Sequence, residues 1–229
     1  MRKNGDLGLL RAKSRVMSES SPGERLNSLL EESGLEPLPL PVTACFESYL
    51  SLLLRWNSRI NLTAIRDTET ILSRHFLESI ACARALPEGI TTLLDFGSGG
   101  GFPGIPIALC SPEIAVTLAE SQGKKAAFLR EAVRTLGIST KVHSARAEQL
   151  SGHFDCVILR AVDKMASAVE SAAKLVGPGS WLALMTTESE LEQLNQLLSK
   201  PLSWQNLHHL PGEHRRLLAL AHPNISSPA

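Results

Sequence analysis

The fold that we predict is decided by one stretch of the chain, Leu93-Leu94-Asp95-Phe96-Gly97-Ser98-Gly99-Gly100-Gly101-Phe102-Pro103-Gly104. A β-rich run over residues 91–96 ends in the glycine cluster, and a helix is predicted over residues 103–109, with proline in its first turn. Residues without a Cβ let the chain turn sharply and let a ligand approach the backbone beside a helix N-terminus. The stretch therefore predicts a strand, a ligand-binding turn and a helix in succession.

Strands and helices alternate after this turn. Further strands are predicted over residues 114–119, 141–143, 154–159, 181–185, 204–210 and 216–221. Further helices are predicted over residues 123–136, 164–175 and 189–198. Such alternation is typical of a parallel sheet with helices on both faces, and the last two strands read as a hairpin. The predicted fold class is α/β, with a doubly wound, mostly parallel, seven-stranded sheet.

The segment before the first strand has a helical pattern. Apolar residues recur mostly at spacings of three and four over residues 46–60 and again over residues 67–86. Prolines at positions 37, 39 and 41 separate these helices from an earlier one over residues 25–33. We predict three parts: a basic, flexible arm over residues 1–21, a helical cap over residues 22–88 and the α/β domain over residues 89–224.

The composition limits the function classes. The 229 residues are 43% hydrophobic and 20% charged, which is enough to bury one large core and argues against disorder. Basic and acidic residues number 23 each, so any nucleic-acid-binding surface must be a local patch. No apolar stretch approaches the roughly 20 residues of a membrane span. Four scattered cysteines without a Cys-x-x-Cys motif predict reduced thiols, no metal site and a soluble, cytoplasmic protein.

Two cofactors fit the glycine-rich turn. The frame Gly99-x-Gly101-x-x-Gly104 matches the dinucleotide fingerprint, which is a weak signal when it stands alone. The frame Asp95-x-Gly97-x-Gly99-x-Gly101 places a carboxylate at the end of the strand, where we expect it to point into the crevice. A carboxylate there repels a pyrophosphate and suits the ammonium or sulfonium of S-adenosylmethionine. The turn therefore favours a methyl donor over NAD.

Three further positions are candidates for binding the cofactor. Glu120 ends the second strand, where a carboxylate can accept both ribose hydroxyls of either cofactor. Ala147 and Glu148 follow the third strand, where an adenine edge would lie. Glu148 has an alternative interpretation as an acidic residue in the first turn of a helix, stabilised by the helix dipole.

Arg160 stands at the end of the fourth strand, where ligands gather in doubly wound sheets. Many small-molecule and adenine methyltransferases keep Asn or Asp with Pro at this point, but this chain has Arg160-Ala161-Val162. The substitution argues against an amine acceptor and favours one with carbonyl or phosphate oxygens. The alternative is an arginine paired to a surface carboxylate.

Four motifs together resemble one family, and the similarity extends from about residue 52 to residue 216. They are Asn61-Leu62-Thr63-Ala64-Ile65-Arg66-Asp67, Arg74-His75-Phe76-Leu77-Glu78-Ser79, Asp95-x-Gly97-Ser98-Gly99-Gly100-Gly101-Phe102-Pro103-Gly104-Ile105-Pro106 and Ser144-Ala145-Arg146-Ala147-Glu148. In this order they resemble the RsmG (GidB) methyltransferases of bacteria. The resemblance implies a class I, Rossmann-like methyltransferase domain that transfers a methyl group from S-adenosylmethionine to guanine N7 in the 530 loop of 16S ribosomal RNA.

The resemblance also implies roles for single residues. Cofactor contacts are implied at Gly97, Phe102, Glu120, Ala147, Glu148 and Arg160. RNA or target-base roles are implied at Asn61, Arg74, His75 and Arg215. We take Arg160, Asn61 and His75 as catalytic candidates, and Arg74, Lys124 and Arg215 as RNA-binding candidates. Each of these candidates has an alternative interpretation. His75 could be a packing residue and Asn61 a helix cap. The basic residues could form a solvated helix face.

Two positions depart from the family. Met185-Thr186-Thr187 stands where the family usually has Lys-Gly, and Ala221-His222 stands where a lysine commonly ends the last strand. Loss of these cations would weaken RNA docking unless other basic residues replace them.

The implied reaction explains why the sequence needs no Ser-His-Asp or Cys-His catalytic arrangement. Guanine N7 carries an in-plane lone pair and no proton, so its attack on the methyl group needs orientation rather than a general base. Arg160 or a nearby cation could bond guanine O6. We expect a monomer that acts on 16S RNA or the small ribosomal subunit, without a membrane or metal. The alternatives are an NAD-dependent oxidoreductase, a methyltransferase of another RNA or small molecule, and a noncatalytic ribosome-binding module.

Overall fold

The computed structural model describes residues 20–212 and 215–223, so most of the predicted basic arm, residues 1–19, lies outside the described residues. One sheet of seven strands forms the centre of the described chain. The strands are β1 (Thr92–Phe96), β2 (Ala115–Ala119), β3 (Lys141–His143), β4 (Phe154–Arg160), β5 (Val176–Thr187), β6 (Trp204–His209) and β7 (Arg216–Ala221). Each of the seven predicted strands is confirmed, and β5 extends further at both ends than predicted.

The strand order is β3-β2-β1-β4-β5-β7-β6. Strands β1 to β5 pair in parallel, while β7 pairs antiparallel with both β5 and β6. The chain runs outward from β1 to β3 and then returns to the other side of β1 with β4. At this reversal the loops after β1 and β4 leave in opposite directions and open a crevice. The predicted doubly wound, mostly parallel sheet is confirmed.

Eight α-helices accompany the sheet in the described residues. They are α1 (Pro22–Glu32), α2 (Leu40–Asn57), α3 (Thr68–Ile71), α4 (Glu78–Ala85), α5 (Gly104–Cys110), α6 (Gly123–Leu136), α7 (Met165–Ala173) and α8 (Glu188–Leu197). Among the described residues, no helix has the length and apolar character that a bilayer crossing needs.

The helix predicted over residues 67–86 is not uniformly α. Asp67 caps its start by accepting a hydrogen bond from the Thr70 amide at 2.8 Å. A π-helical turn, Leu72–Leu77, then separates α3 from α4. Such wider turns are frequent at functional sites. This one carries Arg74 and His75, two of the candidate site residues, toward the sheet.

The helical cap and the sheet share one hydrophobic core. Buried residues of α1, α2 and α4 join those of α5, α6 and one face of the sheet in a single cluster, and α7 and α8 cover the other face. The ring of Tyr49 on α2 stacks on Phe76 at 5.3 Å and lies 5.4 Å from Phe102. Tyr49 also donates a hydrogen bond to the carbonyl of Gly100. The cap therefore holds the glycine-rich turn directly.

Candidate active site

A cavity of about 670 Å³ opens at the carboxyl ends of β1, β2 and β4. This volume lies within the roughly 300–1,000 Å³ of small-molecule sites. Candidate residues that line it are His75, Gly97, Gly99, Phe102, Glu120, Ala147, Glu148 and Arg160. The crevice expected at the carboxyl ends of the strands therefore brings together most of the candidate cofactor-binding residues, which come from four separate parts of the sequence.

The glycine-rich turn needs its glycines for backbone geometry. Gly97 and Gly99 have φ values of +78° and +55°, a region that L residues rarely adopt. A Cβ on Gly97 would lie 3.1 Å from a methyl group of Val162, which also lines the cavity. The amides of Gly97 and Ser98 both donate to the Ala119 carbonyl, at 3.0 and 2.9 Å, which ties the turn to β2.

Glu120 joins two loops at the cavity wall. One carboxylate oxygen accepts a hydrogen bond from the Gly99 amide at 3.0 Å, and the other accepts one from the Gln122 amide at 2.7 Å. The residue is only 7% exposed, yet it borders the cavity. Each oxygen keeps a second lone pair, because an ionised carboxylate offers about four acceptor positions. Glu120 can therefore accept hydroxyl groups of a ligand without losing its structural bonds.

Asp95 does not point into the crevice, so that expectation is wrong. Its exposure is 0%, and neither Asp95 nor Gly101 borders the cavity. One carboxyl oxygen accepts from the Gly104 amide at 3.1 Å, and the other has no hydrogen-bond partner among the described residues. The side chain lies beneath the turn, against the start of α5. Burial raises its pKa to about 7, opposed by the Gly104 amide and by Arg160.

We expect Asp95→Asn to change how stability depends on pH. Because the folded-state pKa is raised from 3.8 to about 7, the native protein binds the proton more tightly than the unfolded chain. The stabilisation is complete below pH 3.8 and is lost as pH rises through 7. Urea denaturation should show that the free energy of unfolding of the Asn variant rises relative to that of the wild type as pH increases over that range. The relative increase should be at most about 1.4 kcal/mol per pH unit. Parallel stability curves would contradict a raised pKa.

Arg160 is held by a buried carboxylate that our sequence analysis did not single out. Its Nη2 donates to the Glu78 carboxylate at 2.8 Å and to the Arg74 carbonyl at 2.7 Å, and its Nη1 donates to Ser79 at 3.2 Å. The Glu78 side chain is 1% exposed and also lies 3.8 Å from Nε of Arg216. Arg160 is therefore paired to a carboxylate, as the alternative interpretation held, but a buried one. In the sequence, Glu78 stands out as an acidic residue within the apolar pattern of residues 76–83, which indicates a buried carboxylate.

His75 lies in the cavity wall between polar and aromatic neighbours. Its ring stacks on Phe102 at 4.5 Å, and its Nε2 lies 2.8 Å from the hydroxyl of Thr63. Burial lowers the pKa of His75 to about 3, with a further contribution from the Arg160 charge. The imidazole is therefore neutral at physiological pH. Thr63 borders the same cavity, although nothing in its local sequence distinguishes it as a site residue.

The remaining candidates do not border the cavity. Asn61 is exposed and accepts a hydrogen bond from Arg66 at 3.0 Å. Lys124 and Arg215 are exposed at the surface, outside the cavity. Lys125, the neighbour of Lys124, does line the cavity. Arg74 contributes its carbonyl to Arg160 rather than a side chain to the wall. The structure does not bring Arg74, Lys124 and Arg215 into the cavity, so their RNA-binding role stays a prediction.

The two positions that lack the family's lysines are buried in this chain. Thr186 is 4% exposed and donates a hydrogen bond to Glu190 at 2.9 Å. Ala221 is 1% exposed and pairs with Leu182 and Trp204 in the sheet. Small side chains at these positions pack within the protein.

Most of the chain is similar to one family of known proteins. A model of the GidB family, described as rRNA small subunit methyltransferase G, matches residues 43–217. The chain belongs to the GidB family. A relative named ribosomal RNA small subunit methyltransferase G, from Halorhodospira halophila, is 41% identical over 192 residues, which cover 83% of this chain and 90% of that protein. One with the same name from Stenotrophomonas maltophilia is 44% identical over 160 residues, 69% of this chain and 73% of that protein.

Solved structures share the fold of this GidB chain. A SAM-dependent methyltransferase from Aquifex aeolicus superposes with a TM-score of 0.51 at 15% identity, covering 66% of this chain and 92% of that chain. The mitomycin 7-O-methyltransferase MmcR has a TM-score of 0.52 at 16% identity, covering 68% of this chain and 55% of that chain. At such identities the likeness shows the fold alone. The GidB chain has the class I methyltransferase fold.

Proposed function

We propose that the protein transfers a methyl group from S-adenosylmethionine to N7 of a guanine in 16S ribosomal RNA. The observation that carries the proposal is the cavity at the carboxyl ends of β1, β2 and β4, in a chain of the GidB family. The names of its relatives favour a methyl donor over a nicotinamide. The proposal places the protein in the cytoplasm as a monomer that acts on 16S RNA or the small ribosomal subunit, with residues 89–224 as the methyltransferase domain.

The residues of the cavity fit S-adenosylmethionine. The buried carboxylate of Glu120 has lone pairs left for two ribose hydroxyls, and two glycines with positive φ leave the turn free of side chains. Ala147 and Glu148 border the same cavity, on the side where the adenine would lie. Bound S-adenosylmethionine supplies a methyl group activated by its positively charged sulfur. Asp95 acts on this site indirectly, by holding the start of α5 beneath the turn.

The chain's own residues orient the acceptor and exclude water. His75 and Phe102 stack to form a flat wall of the cavity, to which a planar base can pack. Since N7 has a lone pair and no proton, none of these groups must remove one. The neutral His75 suits this task, because a cationic ring would repel a base that becomes positively charged on methylation. Orientation of this kind can supply roughly 7–11 kcal/mol of a barrier.

The proposed reaction is tested by mapping methylated guanines in 16S RNA. Mass spectrometry of ribosomal RNA should find one N7-methylguanosine in cells that contain the protein and none at that position after the gene is deleted. The purified protein with S-adenosylmethionine should restore it on RNA from the deletion strain. An unchanged modification map would refute the proposal.

Replacing Glu120 by glutamine should weaken cofactor binding. The change removes the charge that strengthens hydrogen bonds to the ribose hydroxyls, for which a loss of roughly 10- to 100-fold in affinity is expected. Isothermal titration with S-adenosylhomocysteine measures the effect. Glu113→Gln, which alters an exposed carboxylate at the other end of β2, is the matched control and should leave affinity unchanged. Equal affinities for the wild type and Glu120→Gln would remove Glu120 from the cofactor site.

A further inference from the structure

A short chain of polar side chains, formed by Arg160, His75 and Thr63, ends at the cavity. Arg160 Nη2 lies 3.4 Å from Nδ1 of His75, and Nε2 of the same ring lies 2.8 Å from the Thr63 hydroxyl. Stacking on Phe102 holds the imidazole in its plane. The proton positions along this chain follow from which groups can donate and which can accept.

Arg160 determines the tautomer of His75. A guanidinium offers N–H groups and has no acceptor, so a proton on Nδ1 would face another donor at 3.4 Å. Burial beside a cation keeps the ring neutral, so it carries a single proton. The lone pair therefore lies on Nδ1 and the proton on Nε2. It follows that His75 donates to the Thr63 oxygen.

Both acceptor positions of the Thr63 hydroxyl are then occupied by the protein. The oxygen accepts from His75 and also from the Ile65 amide at 3.1 Å. A hydroxyl has two lone pairs and one proton, so Thr63 can only donate to a further partner. Within the described residues this proton has no acceptor in the protein, and Thr63 borders the cavity. The protein therefore presents a hydroxyl donor of fixed polarity to whatever occupies that space.

The segment that carries Thr63 is rigidly held. The side chain of Asn57, which is buried at the end of α2, accepts from the Leu62 and Thr63 amides at 2.9 and 3.1 Å and donates to the Ile65 carbonyl at 3.1 Å. A donor whose backbone is fixed on both sides is pre-organised to read one acceptor atom. Arg160 is less suited to this task, since both of its terminal nitrogens already bond Glu78, Ser79 and the Arg74 carbonyl.

We propose that the Thr63 hydroxyl donates a hydrogen bond to O6 of the acceptor guanine and thereby selects guanine over adenine. The inference rests on the proposed function. On the edge that presents N7, guanine has an acceptor at position 6 and adenine has an amino donor. A hydroxyl that can only donate matches guanine and leaves the adenine amine facing another donor. Thr63 is thus a specificity-determining residue that touches the substrate, while Arg160 and His75 act through it as positioning residues.

The test compares Thr63→Val, which removes the hydroxyl at nearly constant shape, with Thr63→Ser, which retains it. With RNA that contains the target guanine, Thr63→Val should lower kcat/KM by roughly 10- to 100-fold and Thr63→Ser should restore most of the rate. Cofactor affinity, measured by titration with S-adenosylhomocysteine, should be equal in all three proteins. Weaker cofactor binding by Thr63→Val would assign the hydroxyl to the cofactor and overturn the proposal.

A second substrate separates contact from a structural role. RNA with 2-aminopurine at the target position lacks O6. The wild type should therefore methylate this RNA more slowly than guanine RNA, by about the factor that Thr63→Val loses on guanine RNA. Thr63→Val should be only slightly slower on the 2-aminopurine RNA than on guanine RNA. An equal effect of Thr63→Val on both RNAs would mean that the hydroxyl only supports His75 and Ile65, and would overturn the proposal. If the wild type methylates the guanine RNA and Thr63→Val is as fast, the inference fails while the proposed function stands. If the wild type does not methylate guanine RNA, the proposed function itself fails.

Discussion

Replacing Glu78 by alanine should lower the free energy of unfolding by about 3–5 kcal/mol, as expected when one partner of a buried ion pair is removed. The Glu78 and Arg160 side chains are 1% and 7% exposed, and Arg216 lies 3.8 Å from the same carboxylate. Without Glu78, two guanidinium groups and the nearby Arg74 would share a buried space without the carboxylate that pairs with them. Urea denaturation of the purified protein measures the loss.

The control for Glu78 is an ion pair of the same chemistry at the surface. Glu32 pairs with Arg25 at 2.9 Å, but its side chain is 61% exposed. Because water and salt screen such a pair, Glu32→Ala should cost no more than about 1 kcal/mol. Equal losses for the two variants would contradict the idea that the Glu78 carboxylate holds the arginines together. Glu78→Ala should also slow methylation, since Arg160 and His75 would lose their fixed positions.

Replacing Gly101 by alanine should cost about 2–5 kcal/mol of stability. Gly101 has a φ of +89°, and a Cβ there would lie 2.5 Å from Ile105 and 2.7 Å from the hydroxyl of Tyr49. The positive φ costs an L residue roughly 1–2 kcal/mol, and overpacking of a core adds roughly 1–3 kcal/mol. Tyr49 cannot simply retreat, since it is fully buried and bonds the Gly100 carbonyl.

Gly137→Ala separates the cost of the positive φ from the cost of overpacking the core. Gly137 ends α6 with a φ of +65°, and nothing lies within 4 Å of the position its Cβ would take. This variant should lose only the conformational part, about 1–2 kcal/mol. Denaturation curves of both variants give the steric part by difference. If Gly101→Ala loses no more than Gly137→Ala, the turn is not packed as tightly against the cap as the distances imply.

The architecture was predictable because its signals are local. Strand β1 and the glycine-rich turn appear in adjacent residues, and the seven strands follow from runs of apolar residues closed by turns. In doubly wound sheets ligands bind at the carboxyl ends of the strands, where Glu120 and Ala147 were expected and are found. The π-helical turn was not predicted, since its hydrogen bonds leave no mark on the spacing of apolar residues.

The direction of single side chains was not predictable in the same way. Asp95 ends the strand as expected, but the packing of α5 against β1 turns its carboxyl beneath the turn instead of into the cavity. Glu78 and Arg160 are 82 residues apart, and Thr63 and His75 are 12 apart on different elements. Their pairings exist only once the cap has packed on the sheet.

Neighbouring residues therefore specify the strands, the helices and the turn of this protein, because backbone preference and hydrophobic periodicity act over a few residues. The polar network of the cavity depends on distances between elements that are remote in the chain. Burial there removes water as an alternative partner, and this favours arrangements in which donors and acceptors pair with a protein group or a ligand. That preference orients Arg160, His75 and Thr63, and it arises only in the folded molecule.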